Sequence, residues 1–136
     1  MQQNKENTYN RNVQKELLSY MISDGELYTR CQNILKSKYF DNQLKTTMQY
    51  ILDYADEYNT MPTVAQVDAY CNVELSQKDL KDCKRQADWF LKTIESFCRH
   101  KAMEILLLDG ADLVQKESYG DIERICKENM MISLQK

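Results

Sequence analysis

Only three glycines and one proline punctuate 136 residues. A sheet protein of this size needs a turn about every ten residues, and turns draw heavily on those two residue types. Their scarcity predicts an all-α chain whose helices meet at capped corners. The apolar residues agree, recurring at spacings of three and four through most of the sequence.

Val13, Leu17, Tyr20 and Met21, widened by Leu18 and Ile22, predict a helix over 12–22. Ser23-Asp24-Gly25-Glu26 has the pattern of a capping box with Ser23 as the cap. The helix it opens turns Leu27, Cys31, Ile34 and Leu35 inward. A third helix, capped by Asp41 or Asn42, runs to Tyr58 and carries Leu44, Met48, Ile51, Ala55 and Tyr58 as one stripe. Asn59-Thr60-Met61-Pro62 ends it, because the residue before a proline is driven out of the helical region. Thr63-Val64-Ala65-Gln66 is a second capping box, opening a short helix to Cys71. Ser76 is expected to cap the next, starting at Gln77.

From Asp88 a long helix runs toward Glu117, with Trp89, Phe90, Ile94, Phe97 and Cys98 inward. Ser118-Tyr119-Gly120 breaks it. A last helix over 121–134 presents Ile122, Ile125, Cys126 and Met130. The expected organisation is one domain: a flexible polar tail (1–11), a compact helical bundle (12–86) and a C-terminal helical hairpin (87–136).

Ile105-Leu106-Leu107-Leu108 puts four large apolar side chains on adjacent positions. A helix with one buried face cannot hide all four, so the segment is either enclosed on all sides or covered by another subunit. A two-fold contact is self-complementary, so one patch of Ile105, Leu106 and Leu108 with Ile122 and Met130 can serve both copies. Tyr50 and Tyr54 lie beside the third helix's buried stripe. They are the other interface candidates, since rigid amphipathic rings suit protein contacts.

Chemistry has few candidates. The net charge is −3, which argues against autonomous, tight binding to duplex DNA. Lys78, Lys81 and Arg85 share one predicted helix face with Trp89 a turn beyond, and a weak nucleic-acid contact is the most they suggest. The five cysteines form no C-x-x-C and their number is odd, which fits buried free thiols in a reducing cytoplasm. The sole histidine, His100, stands near Cys98, but two ligands do not close a zinc site and residues two apart on a helix diverge. Asp53 with Glu57, and Asp109 with Asp112, read as solvated helix faces. There is no G-x-x-x-x-G-K-[ST], so ATP hydrolysis by the usual route is excluded. No catalytic, cofactor-binding or metal-binding residue is expected, and no apolar run approaches the ~18 residues of a membrane span.

The order of these features resembles the N-terminal domain of DnaB-type replicative DNA helicases, with closest likeness to the bacteriophage branch. Val13 through Asp24 looks like that domain's opening helix, and Ile34-Leu35-Lys36-Ser37-Lys38-Tyr39-Phe40-Asp41 like the segment whose aromatic pair precedes the long central helix. Tyr58-Asn59-Thr60-Met61-Pro62-Thr63 is similar to its proline turn, and Phe97-Cys98-Arg99-His100-Lys101-Ala102-Met103 to the basic start of its hairpin. The likeness covers most of residues 13–134, and shared order and spacing carry it. It implies a non-catalytic collar above a hexameric ATPase ring, pairing through the hairpin and docking primase or a helicase loader during DNA replication. The alternative is a stand-alone helical adaptor or regulator, with a single-stranded DNA accessory factor as a third reading.

Overall fold

The computed structural model describes residues 8–134, and among them the chain is helical without a strand. Seven α-helices follow one another: α1 Arg11–Ser23, α2 Gly25–Cys31, α3 Asn42–Tyr58, α4 Val64–Cys71, α5 Leu80–Arg85, α6 Ala87–Gln115 and α7 Tyr119–Met130. Two 3-10 turns, Gln32–Ile34 and Ser37–Tyr39, link α2 to α3. The all-α expectation holds, as does the closing hairpin of α6 and α7.

α1 is the spine of the bundle. Leu17, Leu18 and Met21 are fully buried on its apolar stripe. The same helix also binds the chain that returns beside it after α4. Ser19 Oγ donates to Lys15 O (2.8 Å) and accepts from the Ser76 amide (3.0 Å). Ser23 Oγ accepts from the Lys78 amide (2.9 Å), and the Tyr20 hydroxyl donates to Asp82 Oδ2 (2.7 Å). Residues 72–79 thus form no helix, and the true cap of α5 is Asp79, which accepts from Asp82 N, rather than Ser76. Asn72 and Glu74 adopt left-handed backbone there, and the Asp68 carboxylate accepts from Leu75 N.

Other corners also differ from expectation. Asp24, not Ser23, caps α2, since the Ser23 hydroxyl is turned to Lys78. α2 stops at Cys31; Ile34 reaches the core from the 3-10 turn that follows and Leu35 from the extended residue after it. α3 ends at left-handed Asn59, three residues before the proline, so the asparagine and not Pro62 sets its terminus. The Thr63–Gln66 capping box forms in both directions, at 3.0 and 2.8 Å.

Leu44, Met48 and Ile51 occupy the core as expected, but Tyr58 does not and is 57% exposed. On α6, Phe90, Ile94, Phe97 and Cys98 are buried, whereas Trp89 is 42% exposed and lies edge-on to Tyr20. α7 ends at Met130 rather than residue 134 and buries no residue fully; Cys126 and Met130, expected inward, are exposed. Ile132 returns to the core after the helix ends. The core claims α6 as far as Ala102, so the division between bundle and hairpin falls inside that helix and not at residue 87.

Of the expected tail, residues 1–7 lie outside the described residues. Tyr9, Asn10 and Arg11 belong to the fold. Asn10 caps α1, and the Tyr9 ring sits 5.8 Å from Phe97 and 5.3 Å from His100. Buried Gln14 donates to Tyr9 O (2.8 Å) and accepts from the Asp41 amide (2.9 Å).

Burial pushes the Tyr20 hydroxyl up from the ordinary tyrosine value of 10.0 to about 12, helped by its bond to Asp82, and burial does the same at Tyr39. A proton held more tightly in the folded state gives stability that is complete below the unfolded pKa and lost as pH rises through the folded one. Denaturant midpoints should therefore hold up to about pH 8 and begin to fall near 9, as the buried thiols of Cys31 and Cys98, also pushed up by burial, start to lose their protons in the unfolded chain. They should fall further between 10 and 12, where Tyr20→Phe should show a shallower slope. An equally steep fall in that variant would show that Tyr20 is not responsible.

Candidate interaction surface

The distal hairpin is where burial gives out. Beyond Ala102, α6 contains no fully buried residue over more than three turns. Ile105 and Leu106 are half-buried, as are Leu113 on α6 and Ile122 and Ile125 on α7. They form the inner layer of the hairpin, tied also by Asn129 Nδ2 donating to Ala102 O at 3.5 Å. Leu107 and Leu108, by contrast, are 69% and 76% exposed. The four adjacent apolar residues are thus divided between the hairpin's interior and solvent.

Of the residues singled out for self-association, Leu108 and Met130 are exposed, while Ile105, Leu106 and Ile122 are largely covered within the protomer. Leu108 borders a groove shared with Tyr39, Phe40 and Lys45. Met103, Leu107 and Val114 were missed, and all three are exposed. With Gly110 they follow a four-three-four spacing, which places them along one side of α6 in the register of a helix-pairing stripe. That spacing is present in the sequence, but it overlaps the four contiguous apolar residues 105–108, which obscure it.

Gly110 itself has nothing within 4 Å of where a Cβ would stand. No contact within the protomer requires a glycine there, although glycine in a helix interior costs about 0.5–1 kcal/mol relative to alanine. It leaves a dent in the middle of the apolar stripe. Arg99 and His100 precede the stripe, held by Glu95 and Glu104 at 3.4 and 3.2 Å.

The tyrosines expected at an interface lie elsewhere, on α3. Tyr50 and Tyr54 are half-buried with ring centroids 6.0 Å apart. Tyr70 of α4 stacks on Tyr50 at 4.8 Å, and Tyr58 lies 4.6 Å from Tyr54.

The basic face expected on one helix is broken up. Lys78 precedes α5, reaches Glu16 Oε1 at 3.0 Å and lies 5.0 Å from the Tyr20 ring centre. Arg85 pairs with Asp82 at 2.7 Å, and Lys81 is exposed. Two of the three cations are thereby engaged within the bundle.

Cys98 is buried and its thiol is pushed up by desolvation, while His100 points outward to Glu104, so the two do not converge. Cys31 and Cys83 are likewise buried free thiols, Cys71 is half-buried, and Cys126 is exposed, against the expectation. No group of three or more His, Cys, Asp or Glu among the described residues is placed to hold a metal ion. No helix among them is long and apolar enough to cross a membrane. Neither a scan against protein-family models nor comparison with curated proteins and with solved structures yields a match to this chain.

Proposed function

We propose that this chain is a non-catalytic assembly and docking domain, the N-terminal collar of a hexameric replicative helicase of the DnaB type, acting in the cytoplasm. The observation that carries the reading is the exposed apolar stripe of Met103, Leu107 and Val114, with Leu108 exposed on a separate side of the same helix and Met130 exposed at the end of α7. The resemblance over most of residues 13–134 in order and spacing supplies the helicase context, including primase or a helicase loader as the docking partner. The absence of a phosphate-cradling sequence fits a part that organises the ring and leaves nucleotide turnover to another domain.

A second copy of α6 is the natural cover for the stripe. In an antiparallel pair with its two-fold axis between Leu107 and Gly110, Leu107 of each copy enters the dent at the other's Gly110, and Met103 meets Val114. Large residues then face small or medium ones across the contact, as close packing requires.

The test is sedimentation of the wild type and of Leu107→Glu over micromolar to hundred-micromolar concentrations. The dimer buries Leu107 of both copies, each contributing about 1.5–3 kcal/mol, so the variant should weaken self-association at least a hundredfold. Its circular dichroism should be unchanged, because the position is exposed. A wild type monomeric at every concentration, or a variant of the same mass as a dimeric wild type, would remove the hairpin from assembly.

A further inference from the structure

Four tyrosine rings form one continuous run outside the hairpin: Tyr70, Tyr50, Tyr54 and Tyr58, with successive centroids 4.8, 6.0 and 4.6 Å apart. Three come from α3 at four-residue spacing, and the fourth is brought beside them by the turn into α4. The end rings are open, Tyr70 at 77% exposed and Tyr58 at 57%. Rings stacked on a surface, with their edges and outer faces wet, give the protomer little core and present a ready contact area.

The charge around the run is one-sided. From Thr46 to Gln77 the sequence has no lysine, arginine or histidine, while Asp53, Asp56, Glu57, Asp68 and Glu74 fall within it. Glu57 is exposed beside the rings and accepts from the Tyr58 hydroxyl. Asp53, which accepts from Gln49 Nε2 at 2.9 Å, and Asp56 are exposed on the neighbouring side of α3 that faces α2. No ion pair among the described residues neutralises any of the three. Aromatic faces flanked by carboxylates that have no cationic partner match a cation that is both flat and fork-shaped. Arginine fits: its guanidinium stacks on tyrosine and bonds carboxylate in a bidentate way, where lysine offers only a point charge. The ring spacing is close to the 5.4 Å pitch of an α-helix, so arginines one turn apart on a helix laid along α3 meet successive rings. A nucleic acid could stack on the rings, but its phosphates would face those carboxylates.

We propose that the Tyr70–Tyr50–Tyr54–Tyr58 face is a docking site for a helical segment of a partner protein that carries arginines at one-turn spacing. This site is separate from the hairpin stripe, and its failure would leave the assembly reading standing.

The test uses the full chain labelled with 15N, a capped synthetic peptide with arginine at every fourth position of an alanine background, its lysine counterpart, and a twelve-residue oligothymidylate. Amide shifts on the arginine peptide should concentrate between residues 46 and 77, and the lysine peptide should bind at least threefold more weakly. Tyr54→Ala/Tyr70→Ser changes no charge, and at two half-buried or exposed positions it should leave the helicity intact. It should weaken the arginine peptide about tenfold. Equal binding by variant and wild type, equal affinity for the two peptides, or the oligothymidylate shifting these residues would each overturn the proposal.

Discussion

Replacing Phe97 with alanine is expected to destabilise the fold by about 3–5 kcal/mol, the usual range for emptying a buried phenylalanine site. The ring is fully buried, 4.9 Å from Phe40 and 5.8 Å from Tyr9. It is the point at which α6 meets both the turn before α3 and the residues before α1. None of these neighbours can collapse into the vacancy easily, because Tyr9 is held through Gln14 and Phe40 closes the 3-10 turn at Ser37. A loss of that size should lower the melting temperature by roughly 10–20 °C for a chain of this length. Trp89→Phe supplies the contrast. Trp89 is partly exposed eight residues earlier on the same helix, so that substitution should move the midpoint by less than about 1 kcal/mol. If Phe97→Ala unfolds at nearly the wild-type temperature, the aromatic junction is not what fixes α6 to the bundle.

The second large effect is predicted for Gln14, a buried amide that joins two parts of the chain which helical periodicity leaves unconnected. Its Nε2 donates to Tyr9 O and its Oε1 accepts from Asp41 N. Gln14→Leu keeps comparable bulk and removes both bonds, leaving a carbonyl and an amide short of partners in a part-buried setting. Each such loss costs about 1–3 kcal/mol, so a total of about 2–6 kcal/mol is expected in urea denaturation at neutral pH. Gln14→Glu separates hydrogen bonding from bulk. A buried carboxyl has a raised pKa, so its folded state is favoured when protonated, and the variant's stability deficit relative to wild type should be smaller at pH 4 than at pH 7. A Gln14→Glu variant with the same deficit relative to wild type at both pH values would mean that the site is open to water.

Much of the architecture was legible from spacing alone, because a helix's buried stripe is a local property. Leu44, Met48 and Ile51 follow from the period, and so do Phe90, Ile94 and Phe97. Capping is local too, but only where one side chain has one plausible role. Thr63 and Gln66 had no competing partners and paired as the pattern requires. Ser23 and Ser76 did not, since residues 76–78 lie against α1 and draw the serines of that helix into hydrogen bonds with amides more than fifty residues away.

The same division governs the surfaces. The excess of apolar residues near Leu106 could be read from four adjacent positions, but which of them face solvent depends on where α7 lies. Once α7 covers the side holding Ile105 and Leu106, Leu107 and Leu108 are left outside. Tyr50 and Tyr54 were identifiable as ring-bearing neighbours of the α3 stripe. That Tyr70 would stack on Tyr50 required the turn at Asn59 to bring α4 alongside.

The amino-acid order by itself determined that this chain is helical, where most helices run and that its closing pair carries surplus apolar side chains. Those are consequences of residue spacing and of too few turn-forming residues. Tertiary structure alone decided which caps are used, that Trp89 and Tyr58 stay wet, that Tyr9 and Gln14 close the bundle, and which leucines remain uncovered. Each of these depends on a neighbour distant in sequence, and a period of 3.6 residues carries no information about what lies opposite a face.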